Sequence, residues 1–316
     1  MKTLLPVEPA HRLAVQPQEH RWLVEQLWGE QAVGLIGGEP KVCKSFLALE
    51  LAVAVASGKP CLRRFCVPRP GRVLLFAAED ALHVVRQRLE GIAAATGVLL
   101  ENIDVQVITA ARLRLDVNDD ADRLANTVEH LRPRLLVLDP FVRLHRRDEN
   151  VSAEVAPLLD LLRQLQRQFQ LAVAVVHHAK KGGGNVRAGQ ALRGSSEFHA
   201  WGDSLLYLRR HGERLTLSVE HRAAASIESI GLRLRTEDGR LALELLENRP
   251  AAEPPSSLPI SDRIRQVLAS ASEPIALASL RDACHLRKAT LCQALAELTR
   301  GGEVLKTDAG YQLSNA

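Results

Sequence analysis

The sequence predicts an α/β protein, with a mainly parallel sheet covered by helices on both faces, an antiparallel extension and a small C-terminal helical domain. Three observations carry this. Between residues 32 and 178, short and almost wholly apolar runs alternate with helical stretches, as strands buried on both faces and their crossover helices do. From 204 to 246, strand-like runs succeed one another with no helix between them. "ENRPAAEPPSSLP" (247–259), with four prolines, then sets apart the C-terminal segment.

In chain order, residues 1–18 contain Pro6, Pro9 and Pro17 without periodicity and read as an N-terminal arm. "EHRWLVEQLWG" (19–29) spaces Trp22, Leu23, Leu27 and Trp28 as a short amphipathic helix would. Strands are expected at 32–36, 72–78, 105–109, 135–139 and 171–177, and in the antiparallel part at 204–208 and 215–220. Helices fit 44–57, 80–96, 119–131 and 152–169. The large domain therefore spans 19–246, the linker 247–258 and the C-terminal domain 259–316. In that last domain "SDRIRQVLAS" reads as a helix capped by Ser261, and "EPIAL" as a short extended segment. "ASLRDACHL" and "RKATLCQALAELTRGG" give two more helices, the latter ended by Gly301-Gly302. "EVLKTDAGYQLS" reads as a hairpin turning at Asp308-Ala309-Gly310. This order resembles a winged helix-turn-helix, in which Arg287 and Lys288, at the start of the third helix, meet DNA. Such units also dock proteins.

The 316 residues are 46% hydrophobic and 25% charged, an ordinary globular profile with an aliphatic core, since aromatics make up only 3%. A net charge of +4 is compatible with nucleic acid without requiring it. The five cysteines form no C-x-x-C pair and no histidine pair completes a zinc set, which fits a reducing cytoplasm. No apolar run reaches the ~18–20 residues of a membrane span; the longest, Phe46–Ala56, is interrupted by Glu50.

Between the first strand and the first helix lies "GEPKVCKSF". It follows the phosphate-loop pattern G-x-x-x-x-G-K-[ST] except that Cys43 replaces the second glycine. Gly38, Glu39, Pro40, Lys41, Val42, Cys43, Lys44, Ser45 and Phe46 form the candidate loop. A loop opening a helix offers N–H groups and a dipole to phosphate. Lys44 would reach the β- and γ-phosphates of ATP and Ser45 would ligate Mg²⁺. If position 43 needs a positive φ, its Cβ costs about 1–2 kcal/mol. Lys44 and the helix terminus are expected to lower the Cys43 thiol pKa. Other strand ends carry matching chemistry. "LLFAAED" places Glu79 to polarise a water, "LLVLDP" places Asp139 to hold the metal shell, and "VVHH" places His177 or His178 to sense a γ-phosphate.

The succession "GEPKVCKS", "LLFAAED", "LLVLDP", "VVHHAKKGG" and "LRGSSEFHAWGDSLLYLRR" resembles the RepA-type hexameric helicase ATPases of the RecA/DnaB superfamily, over roughly residues 20–225. The resemblance implies a RecA-like P-loop core. It implies Lys44 and Ser45 on phosphate and magnesium, Glu79 as catalytic base, Asp139 as the Walker B acid, and His178 rather than His177 as the sensor. It also implies a homo-oligomeric, hexameric ring with ATP between subunits and single-stranded DNA through the centre. Lys180, Lys181 and Arg187 of "AKKGGGNVRAGQALRG" (179–194) would touch the strand. The family's arginine finger lies ten residues beyond Arg193, where this chain has Asp203. Arg222 in "VEHRAA" is the first choice for that cation and Arg193 the second. The rival reading is a non-translocating, ATP-binding regulator that uses the winged helix to mark DNA or recruit a protein.

Overall fold

A computed structural model describes residues 5, 7–13, 21–178, 197–212, 214–237, 240–246, 260–271, 273–284, 288–307 and 310–314. The chain divides into two units, Met1–Leu246 and Glu247–Ala316. The first opens with β1 (Trp22–Val24) and β2 (Trp28–Gly29), an antiparallel hairpin where a helix is expected. Gln26 takes a left-handed φ of 61°, and the Leu27 N–H returns to the Val24 carbonyl at 3.1 Å. Leu23, Val24, Leu27 and Trp28 are all buried. Their spacing of four suits a helix face, and also two arms of a tight hairpin folded onto one core. Tertiary burial selects the second.

The core then runs β3 (Val33–Gly38), α1 (Lys44–Ser57), β4 (Val73–Ala77), α2 (Leu82–Ala95), β5 (Val105–Val107), α3 (Asn118–Leu131), β6 (Leu135–Asp139), α4 (Ser152–Phe169) and β7 (Ala172–His178). It continues with α5 (Glu197–Trp201), β8 (Ser204–His211), β9 (Arg214–His221), β10 (Ile227–Glu237) and β11 (Arg240–Leu245). The strands form one sheet in the order β11-β10-β9-β8-β3-β7-β6-β4-β5. Pairing is parallel from β8 to β5 and antiparallel from β8 to β11, the predicted fold class.

Two apolar layers sandwich this sheet. α1 and α2 cover one face with Leu47, Leu51, Val55, Leu89 and Ile92. α3 and α4 cover the other with Leu124, Val128, Leu158 and Leu162. Apart from Ser45 and the residues at its end, α1 is buried all round, so its apolar residues show no single stripe. In the antiparallel part β9 alternates cleanly, with Leu215, Leu217 and Val219 buried and the residues between them not. On β10 the buried Leu232 stands next to the exposed Arg233, whereas β11 buries Ala242 and Leu243 side by side.

The second unit contains α6 (Ile260–Ala269), α7 (Leu277–Ala283), α8 (Lys288–Arg300), β12 (Val304–Thr307) and β13 (Gly310–Leu313) around Ile264, Leu268, Leu280, Leu291, Leu295 and Val304. α6 begins at Ile260, so Ser261 lies within its first turn and is not its cap. Ile275 and Tyr311 exchange backbone hydrogen bonds of 2.9 Å, tying the extended segment to the hairpin. Gly310 makes that approach possible, since a Cβ there would stand 2.3 Å from the Ile275 carbonyl oxygen. The linker 247–258 lies outside the described residues.

At the centre of the large sheet, a Cβ on Gly34 would fall 1.8 Å from the Ser204 carbonyl oxygen, across the β3–β8 pair. Gly34→Ala is therefore expected to destabilise the large unit by about 3 kcal/mol or more, read as a lowered urea midpoint.

Candidate functional site

The parallel register brings strand ends to a common level. Gly38 stands opposite His178 across β3–β7, and Ala77 opposite Asp139 across β4–β6. Above these ends lies a cleft of about 290 Å³ lined by Lys44, Ser45, Glu79, Asp139 and His178 together with the loop residues Lys41 to Cys43 and Phe46. Successive strand residues face opposite ways. His178, half-buried, faces the cleft. His177 is buried on the other side, its ring stacked on Phe198 at 4.2 Å and edge-on to Phe141 at 6.1 Å.

The loop from Gly38 to Cys43 turns sharply. Gly38 has φ 152°, and a Cβ there would lie 2.5 Å from the Leu208 carbonyl oxygen. Lys41 and Cys43 both have φ 64°, and Cys43 is the residue from which α1 starts. The position occupied by Cys43 thus has the left-handed backbone that a glycine takes without strain. Glu39 contributes its carbonyl, which accepts a 2.7 Å hydrogen bond from Lys44 Nζ. Pro40 is exposed at the loop's tip.

Electrostatically the cleft is a conflict. Burial pulls the Lys44 ammonium down to about 8, although Asp139, Glu79 and Cys43 favour its charge. Burial also pushes the Asp139 carboxyl up to about 6, with Asp80 and Glu79 adding to the rise while the Ser45 hydroxyl, hydrogen-bonded to it, and Lys44 oppose it. Both charged forms lack solvation that a bound phosphate and a hard cation would supply. Ser45 and Asp139 are oxygen donors of the kind a divalent magnesium takes, and Lys44 is a cation of the kind a phosphate takes. Glu79 sits at the mouth, where Arg143 Nε donates to its Oε1 at 2.7 Å. Both side chains are well exposed, so the pair is weak and easily parted.

One expectation is reversed. Burial pushes the Cys43 thiol above its ordinary value, outweighing Arg210, Arg88 and Lys44, all of which favour the thiolate.

Two arginines at the cleft escape sequence reasoning. Arg88 of α2 lines it, pairs with Asp80 and stands 5.0 Å over the Phe46 ring. Arg210 of β8 donates to the Lys41 carbonyl at 3.1 Å and to Cys43 Sγ at 3.6 Å. Their roles depend on a register set far along the chain; the only local signal is "LRR" at a strand's end.

Arg222 is not among the lining residues of the cleft. Its Nη1 lies 3.3 Å from Asp203 Oδ1, and its Nη2 donates to the carbonyls of Ala200 and Trp201. Asp203 also holds Arg163 and accepts the Val33 N–H at 3.3 Å. Lys180, Lys181, Arg187, Arg193 and Arg287 lie outside the described residues; Lys288 opens α8.

A family model described as an AAA domain matches residues 2–184. Among solved structures, that of a DnaB-like replicative helicase and its interactions with primase aligns with a TM-score of 0.53 at 14% identity, over 67% of this chain. The chain spans 57% of that structure's length. At this identity the likeness is one of fold, that of RecA-like P-loop proteins.

Cys43→Gly is expected to stabilise the large unit by about 1–2 kcal/mol through release of the left-handed strain, read as a raised urea midpoint.

Proposed function

We propose, from the premise that this chain belongs to the AAA domain family, that it hydrolyses ATP with Mg²⁺ and couples this to binding and movement along single-stranded DNA. The observation that carries the reading is the convergence of Lys44, Ser45, Glu79, Asp139 and His178, from four separate elements or their ends, on one cleft beside a helix N-terminus. Magnesium, when bound, would neutralise charge on the transferred phosphoryl group. Ser45 and Asp139 would hold it. Lys44 would exchange the Glu39 carbonyl for phosphate oxygens. Glu79, once parted from Arg143, would take the proton of the attacking water. His178 would donate to the γ-phosphate.

Completion of the site calls for a cation from a neighbouring copy in a homo-oligomeric ring, hexameric by the family resemblance. Arg222 remains the first choice, with its side chain about half exposed, and Arg193 the second. Lys180, Lys181 and Arg187 would carry phosphate contacts to the DNA strand. The C-terminal unit, by its order of three helices and a two-stranded hairpin, is read as a winged helix with Arg287 and Lys288 at its DNA- or protein-facing helix. Asp203 favours a second reading. It stands at the family's finger position and is already committed to Arg163 and Arg222, which suits a regulator that binds ATP without translocating.

The test is ATP turnover with and without single-stranded DNA, followed by strand displacement on a forked duplex. Glu79→Gln is expected to lower turnover by about 10²–10⁴-fold while nucleotide binding persists, whereas Lys44→Ala loses binding. DNA-stimulated turnover without displacement would favour the regulator, and turnover unaffected by Glu79→Gln would remove the residue from catalysis.

The pH dependence of binding follows from the two buried groups. Asp139 has its pKa raised, so its charge is lost as pH falls through about 6. Lys44 has its pKa lowered, so its charge is lost as pH rises through about 8. Affinity of the free protein for a fluorescent ADP analogue with Mg²⁺ is expected to peak between these values and to decline on both sides. The two apparent midpoints belong to the coupled cluster as a whole.

A further inference from the structure

The end of β7 is held differently on its two sides. Toward β3 the ladder continues to the tip, with Gly37 opposite His177 and Gly38 opposite His178. Toward β6 it stops at Leu138 opposite Val175. Beyond that point the loop between β6 and α4 (140–151) supplies the contacts. Phe141 meets the His177 ring edge-on, and Glu149 sets its Oε1 4.0 Å from His177 Nδ1. The same oxygen lies 3.5 Å from Nε2 of His145, in its own loop. His145 Nδ1 accepts the Arg147 N–H at 3.1 Å, which in the neutral ring leaves the proton on Nε2, facing the carboxylate. Both imidazoles are buried, and the Glu149 side chain is only 14% exposed.

The loop has other clasps to give it shape. Asp148 Oδ1 accepts the Asn150 N–H at 2.9 Å, Glu154 Oε2 the Asp148 N–H at 3.0 Å, and Asp116 Oδ2 the Arg146 N–H at 3.2 Å. Arg147, two residues before Glu149, pairs instead with Asp116 at 3.9 Å. The Glu149 carboxylate turns inward to the histidines. Burial works to raise its pKa, but His145, His177 and His178 outweigh burial and hold it below its ordinary value, so the group is an anion at neutral pH. A buried anion is costly unless partnered, and these partners include the strand end that carries His178. Side chains alternate along a strand. Fixing the His177 ring on one face therefore fixes the direction in which His178 leaves the other.

We propose, resting on the reading of the cleft as an ATP site, that Glu149 is a positioning residue for the γ-phosphate sensor. Its carboxylate, set between His145 and His177, holds the end of β7 where His178 meets the γ-phosphate, and so gives the site its preference for a triphosphate over a diphosphate. Through His177 and Glu149, a contact made by His178 also reaches the loop whose Arg143 pairs with Glu79.

The experiment measures the affinities of the full chain for ADP and for the β,γ-imido analogue of ATP, each with Mg²⁺, by calorimetry. The variants are Glu149→Ala, Glu149→Gln, His178→Ala and the double His178→Ala/Glu149→Ala. Glu149→Ala is expected to lower the preference for the triphosphate about tenfold, the worth of one hydrogen bond to a charged group, with ADP affinity unchanged. Glu149→Gln keeps an acceptor and should keep most of the preference. The double variant should fall no further than His178→Ala alone, since both act through one contact. Equal weakening of both nucleotides by Glu149→Ala would make the residue merely structural and overturn the proposal. If His178→Ala leaves the preference intact, the sensor role itself falls and the proposal with it. If His178→Ala lowers the preference and a folded Glu149→Ala does not, the sensor stands and the proposal alone is overturned. Should Glu149→Ala fail to fold, hydrogen exchange on the unaltered chain supplies the comparison. Amides of the loop 140–151 should exchange more slowly with the ATP analogue than with ADP, and His178→Ala should abolish the difference. Equal exchange with both nucleotides overturns the proposal.

Discussion

The site depends on the height at which parallel strands are paired. With Gly38 level with His178, and Ala77 level with Asp139, the chain ends its strands on one line and delivers a lysine, a hydroxyl, two carboxylates and an imidazole to it. A shift of β7 by one residue would exchange the two histidines between cleft and core, because side chains alternate. The rings of Phe141 and Phe198 around His177 therefore help set which imidazole meets the cleft. Packing on one face of the sheet fixes chemistry on the other.

Asp203 illustrates how a residue unsuited to one role can be well suited to another. It joins the start of β3 through the Val33 N–H, α4 through Arg163 and the end of β9 through Arg222. Arg163 and Arg222 also both donate to the Trp201 carbonyl, so the end of α5 is closed by the same cluster. α5 follows directly on the basic, glycine-rich segment 179–196. The clasp thus anchors one end of the stretch in which the resemblance places DNA contacts.

Much of the core was legible because burial on both faces leaves an unmistakable pattern. The run 135–139 and the helical stretch 152–169 coincide with β6 and α4, and the helix expected from 44 is α1. The hairpin at 22–29 was not legible, since four apolar residues at that spacing fit two structures and only the core decides between them. Nor was the state of the Cys43 thiol. Its cationic neighbours are visible in the sequence, but the desolvation that outweighs them is not. Arg88 and Arg210 reach the cleft from α2 and β8 through packing and register that no local window contains.

The burial of α1 has a mechanical consequence. The helix that begins at Lys44 carries Glu50 in its middle, and that carboxylate grips the Leu243 N–H of the sheet's edge strand. α1 is wedged between the sheet and α2, without a solvent face along which to slide. A displacement imposed at its first turn cannot be absorbed by bending alone. It is passed along the stiff first half of the helix, about 9 Å from Lys44 to Glu50 at 1.5 Å per residue, to the edge strand of the antiparallel extension. The loop and that edge behave as two ends of one lever.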